Sequence, residues 1–107
     1  MRRYQDQVEV RLGDPGEHRV RLEDGWRRGA EPVVEEVPTL FLWHGRVHVV
    51  RGVLAQWTQR LPWWRDGVDG RLEQEVWRVE ASAGRSAGTG VYELRKGETW
   101  LLERVSD

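Results

Sequence analysis

A chain of 107 residues with seventeen basic and eighteen acidic side chains, a formal net charge of −1 and no cysteine has room for one domain and one core. The near-cancelling charge excludes a whole-molecule field able to hold a polyanion, so any contact with nucleic acid would need a local patch. Without cysteine there is no disulfide framework, no thiol nucleophile and no thiolate metal site.

Sixteen arginines stand against a single lysine, Lys96, and there is no Ile and no Asn. GC-rich coding accounts for that bias, so the arginine count alone is no argument for phosphate binding. The opening Met1-Arg2-Arg3-Tyr4 leads into Gln5, Asp6 and Gln7 without the apolar stretch of a signal peptide. No window approaches the ~20 apolar residues of a membrane helix. The expectation is a cytoplasmic protein with no membrane association.

In chain order, Gln7 to Leu12 alternates polar and apolar at period two, which predicts a strand with one wet face. Gly13-Asp14-Pro15-Gly16 breaks it. His18 to Glu23 alternates again and ends at Asp24-Gly25, predicting a second short strand or an edge hairpin. Trp26 to Pro38 mixes charge with little periodicity and reads as a surface connection.

Thr39-Leu40-Phe41-Leu42-Trp43 and Arg46-Val47-His48-Val49-Val50-Arg51 flank His44-Gly45. Two β-rich runs around an x-Gly pair predict a hairpin, because glycine accepts the positive φ of the turn. Gly52 interrupts a run that resumes as Val53-Leu54-Ala55-Gln56-Trp57 and marks a bulge or a bend; Val53 to Arg60 also carries enough helix formers to allow one short helix. Leu61 to Gly70 is a loop with adjacent Trp63 and Trp64. Glu75 to Ala81 alternates with Trp77, Val79 and Ala81 on one face and Arg78 and Glu80 on the other. After the small-residue loop Ser82 to Gly90, Val91 to Arg95 and Thr99 to Val105 form a C-terminal hairpin around Lys96-Gly97. The fold class expected is mostly β: a single antiparallel domain over residues 1–107 with five to seven strands, strongly curled or barrel-like, and at most one short helix.

The order of residues Phe41 to Arg46, Val47 to Trp57, Trp63-Trp64, Val76 to Ala81, Gly90 to Leu94 and Trp100 resembles a small bacterial family of unknown function found in actinobacteria and other GC-rich lineages. Genes of that family often lie near those of Y-family or mutagenesis-accessory DNA polymerases. The resemblance covers about residues 39–107 with Arg2-Arg3-Tyr4 and Val8 to Val10, and against it residues 13–37 read as an insertion. It implies a neighbourhood and no reaction, so it supplies no catalytic residues.

Gly84-Arg85-Ser86-Ala87-Gly88 has the G-x-S-x-G form of a hydrolase nucleophile, but that motif needs a helix behind the serine and a strand follows here. The expectation is that the chain is not an enzyme and needs no cofactor. A weaker reading gives Arg85, Ser86 and Thr89 to a small anion. His44 and His48 could ligate a metal only with a carboxylate such as Glu35 or Glu36, and the hairpin turn beside them breaks the helical spacing, so no metal is expected. Among the seven tryptophans, Trp43, Trp57, Trp77 and Trp100 read as core. Trp26, Trp63 and Trp64 lie beside arginines in loop-like surroundings and read as exposed. The expected function is a non-catalytic protein-interaction module, accessory to error-prone polymerase machinery and anchored on Trp63 and Trp64. The alternative is a single-stranded nucleic-acid binder using Trp63, Trp64, Arg65, Arg46 and Arg51.

Overall fold

The computed structural model describes residues 2–26, 36–60, 73–84, 88–97 and 99–106. They form seven strands: β1 (Arg2–Gly13), β2 (Arg21–Leu22), β3 (Val37–Trp43), β4 (Arg46–Arg60), β5 (Glu73–Ser82), β6 (Thr89–Lys96) and β7 (Trp100–Ser106). Six of these close into an antiparallel barrel in the order β4-β3-β1-β7-β6-β5, with β5 pairing back onto β4. Among the described residues there is no helix, and Val53 to Arg60 continues β4 as a strand.

Closure depends on long strands that change partners along their length. β1 pairs with β7 from Arg2 to Val8 and with β3 from Glu9 to Gly13. β4 pairs with β3 from Arg46 to Val49 and with β5 from Val49 to Arg60. Opposite β5, the register of β4 slips at Arg51 and again at Leu54, so Gly52 sits between two bulges. Each bulge adds local twist, which a small barrel needs to curl on itself.

The β3–β4 hairpin forms at the expected pair, with φ of 53° at His44 and 72° at Gly45. Both central residues of a type I′ turn need positive φ, and Gly45 meets that need without a Cβ penalty. Of the two readings of His18 to Glu23, the short strand forms and the edge hairpin does not: Arg21–Leu22 is strand, and it runs parallel to β4 through Arg21↔Gly52 and Leu22↔Val53. Close approach of this segment is possible because Gly52 has no side chain; a Cβ there would lie 3.0 Å from Arg21 Nη2 and 3.3 Å from its carbonyl oxygen.

Alternation directs one set of side chains inward. Phe41, Val50, Val53, Trp77, Val79, Ala81, Leu94 and Leu102 form the centre of the core with Val8, Val20, Val37 and Tyr92, while Arg78 is exposed and Glu80 half-buried. Each such aliphatic or Phe side chain contributes about 1.5–3 kcal/mol by leaving water. β3 begins at Val37 rather than Thr39, and both Val37 and Pro38 are buried.

The tryptophans divide differently from the expectation. Trp77 is core at 3% exposure, and Trp43 and Trp100 pack against the core while remaining partly open. Trp57 lies outside the core, with the Arg78 guanidinium 5.3 Å from its ring centroid. Trp26, expected to be exposed, packs against the core and stacks on Trp77 at 5.9 Å with 25° between the planes. The cause is the parallel tether: Gln56 N donates to the Trp26 carbonyl and Glu23 N to that of Val53, which draws the segment onto the barrel.

Candidate interaction surface

Outward positions of β1, β3 and β4 form two cross-strand rows. Glu9, Leu42 and Val47 make one row, and Arg11, Leu40 and Val49 make the next. The same alternation that sends Phe41, His48 and Val50 inward sends Leu40, Leu42, Val47 and Val49 outward. Val47 is 50% exposed and Leu42 and Val49 each 37%, while Leu40 is half-buried. Glu9, Arg11, Leu40, Leu42 and Val47 line one shallow groove. Four aliphatic side chains thus occupy neighbouring sites on a wet face, bordered on the β1 side by one acid and one base.

Arg46 and Arg51 both lie exposed on β4, one before and one after Val47 and Val49. Arg51 Nε reaches Ser82 Oγ at 3.5 Å. Thr89 is exposed at the start of β6, paired with Ser82. Trp63, Trp64, Arg65, Arg85 and Ser86 lie outside the described residues, as do Glu35 and the tip of the G-x-S-x-G loop.

A second cluster lies at the hairpin end of the barrel. The Asp6 carboxylate accepts from Trp43 Nε1 at 2.9 Å and from His44 Nε2 at 3.1 Å, which ties the turn to β1. His44 stacks on Trp43 at 4.2 Å, and Tyr4 meets Trp43 edge-on at 5.2 Å. His48 turns the other way, into the barrel. Its ring lies 4.8 Å from Phe41 and nearly parallel to it, and its Nδ1 donates to the Arg46 carbonyl at 3.1 Å. Burial among these rings pushes the imidazole below its usual pKa, because low dielectric disfavours the charged form. The two histidines therefore serve different partners, and among the described residues no group of three His, Asp or Glu converges as a metal site would require.

The outer face of β5 to β7 is charged and internally paired. Glu93, nearly buried, receives Arg78 Nε at 3.0 Å and Nη2 at 2.8 Å, with Arg104 Nε 3.8 Å from its other oxygen. Arg95 pairs with Glu103. This fork-on-carboxylate arrangement leaves little free positive charge on that face.

The apolar block has a signal in the sequence beyond the alternation that marks the strands. Leu40-Phe41-Leu42-Trp43 and Val49-Val50 are apolar at consecutive positions, not only alternate ones, and Val47 shares the parity of Val49. A hairpin about His44-Gly45 aligns Leu42 with Val47 and Leu40 with Val49, and if Phe41 faces the core these four must face away from it.

A search of curated proteins and a search of solved structures each return no match. The model of one family, described as Domain of unknown function (DUF6504), matches residues 1–107, and the chain belongs to that family.

Proposed function

We propose that this chain is a non-catalytic protein-interaction module that docks its partner on the outward face shared by β1, β3 and the start of β4. The observation that supports this most directly is the outward block Leu40, Leu42, Val47 and Val49, since a contiguous apolar patch rimmed by charge is how docking faces are composed. Arg46 and Arg51 belong to the rim, where charge steers encounter more than it adds affinity. Trp63, Trp64 and Arg65 extend the proposal as further anchors. The resemblance to a family encoded near mutagenesis-accessory polymerases makes that machinery the first place to seek the partner. Nucleic-acid binding has less support, because Arg78, Arg95 and Arg104 are already engaged by Glu93 and Glu103, and counterion release needs free cations.

The test pairs affinity capture with a Val47→Asp variant and anisotropy of a labelled mixed-sequence oligonucleotide at ~150 mM salt. A protein retained stoichiometrically by the native chain should be lost from Val47→Asp, and the oligonucleotide should stay free. Salt-sensitive oligonucleotide binding that disappears with Arg46→Ala and Arg51→Ala, together with unchanged capture by Val47→Asp, would replace this reading with the nucleic-acid one.

A further inference from the structure

We infer that the occupant of the β1/β3/β4 face is a second copy of this chain, related by a two-fold axis that lies in the face and runs across the strands. This deepens the proposed function and rests on its reading of the face as a docking surface.

The inference comes from how the two rows relate. Glu9-Leu42-Val47 and Arg11-Leu40-Val49 have the same type of content in the same order: a charge on β1, a leucine on β3, a valine on β4. The charges alone differ, and they differ in sign. A two-fold axis between the rows exchanges them, so Leu42 faces Leu40 of the other copy and Val47 faces its Val49. Glu9 then meets Arg11 of the other copy, and Arg11 meets its Glu9. An isologous interface must be self-complementary in this way, because each contact occurs twice. Packing of two twisted sheets at about 30° preserves the row-to-row match near the axis.

A second observation points the same way. The charged side chains on the outer face of β5 to β7 are paired within the chain, as Arg78 and Arg104 with Glu93 and Arg95 with Glu103. Glu9 and Arg11, two residues apart on one strand with their side chains on one face, make no ion pair among the described residues. Their complementary charges are left available where the apolar block ends. A partner with a uniformly acidic or basic rim would leave one of them opposed by like charge, whereas a second copy satisfies both.

Three strands by two rows is a small footprint beside the ~800 Å² per partner of a standard interface, so the dimer expected is weak, with a dissociation constant on the order of 10–100 µM. Sedimentation velocity on the full chain from about 1 µM to about 1 mM spans that range. The native chain should shift from monomer to dimer. Glu9→Arg alone sets arginine against arginine in both pairs on the β1 side of the interface, and Arg11→Glu alone sets glutamate against glutamate in both. Each variant should therefore associate at least roughly tenfold more weakly than the native chain. Mixed one to one, the two variants restore both ion pairs, one as the native Arg11 to Glu9 contact and one with its polarity reversed, and the mixture should dimerise as the native chain does. Both substitutions fall on exposed positions, and circular dichroism verifies the fold. A native chain that stays monomeric, or a dimer indifferent to the single variants, or a mixture that fails to recover, would overturn the inference. If the chain is monomeric while Val47→Asp still abolishes capture of another protein, the dimer is wrong and the docking face stands. If neither self-association nor capture responds to Val47→Asp, both fail.

Discussion

Replacing Trp77 with alanine tests the core assignment most sharply. Trp77 is 3% exposed, flanked on the strand ladder by Gln56 and Leu94, and covered by the stacked ring of Trp26. Deleting a buried aromatic costs about 3–5 kcal/mol through lost transfer energy and the cavity left behind. The indole Nε1, however, is buried without a hydrogen-bond partner among the described residues, and an unpaired buried donor carries a penalty of about 1–3 kcal/mol that alanine does not. The expected loss therefore sits at the low end, about 3 kcal/mol, and Trp77→Phe, which keeps most of the ring and removes the donor, should cost about 1 kcal/mol. Against a total stability of about 5–15 kcal/mol, both variants should fold. Guanidinium titration followed by circular dichroism should show a lower midpoint with an unchanged slope. A loss under ~1 kcal/mol for Trp77→Ala would mean that the ring is not packed as described. A loss near ~5 kcal/mol with Trp77→Phe equally poor would mean that Nε1 does have a partner and that the reasoning about the donor is wrong.

Two further outcomes follow from the hairpin and the ring beside it. His48 is held below its ordinary pKa first by burial and also by the charges of Arg46 and His44, against a partly compensating hydrogen bond to the Arg46 carbonyl. The unfolded chain then takes up the proton first as pH falls. The stability from a neutral His48 is complete above the unfolded value near 6.5 and declines below it, at up to about 1.4 kcal/mol per pH unit, until the folded pKa is reached. Chemical denaturation from pH 7.5 to pH 5 should show that slope, and His48→Phe should flatten it; an unchanged slope in the variant would assign it to another group. Gly45→Ala forces a Cβ onto a residue at φ 72° and should cost about 1 kcal/mol, with a loss of less than ~0.3 kcal/mol showing that the turn is not type I′.

Much of the fold is legible in the sequence because its signals are local. His44-Gly45 specifies a turn through backbone sterics, and the alternation from Glu75 to Ala81 specifies which side of β5 faces the core. Gly52 marks bulging, since a strand without a side chain at that point can bend and be approached. What is not legible depends on contacts far apart in sequence. Trp26 has the surroundings of a loop aromatic beside Arg27 and Arg28, yet its carbonyl accepts from Gln56 N and its ring covers Trp77. Trp57 has the neighbours of a core residue in Val53, Leu54 and Ala55, but the bulge at Leu54 changes the parity along β4 and delivers it to the outer face beneath Arg78. A single inserted residue reverses every inward and outward assignment beyond it. The candidate site is half legible: Arg46 and Arg51 stand out as exposed charges, whereas the aliphatic face emerges only when the hairpin register sets Leu42 beside Val47 and Leu40 beside Val49.

The position of that aliphatic block has a physical logic in the barrel itself. A closed sheet pairs its strand edges internally, so the usual route of strand addition from another chain is largely removed, and the short parallel β2 covers part of the β4 edge that β3 leaves. Association must then proceed face to face. The bulges of β4 at Arg51 and Leu54 curl the sheet where it meets β5, while the antiparallel segment from Leu40 to Trp43 against Arg46 to Val49 keeps an unbroken register. Regular pairing holds its outward side chains in aligned rows, and aligned rows are what a second sheet can pack against. The bulges that close the barrel also stop short of the rows that bear Leu40, Leu42, Val47 and Val49. Closure and docking are in this sense carried by different halves of one strand.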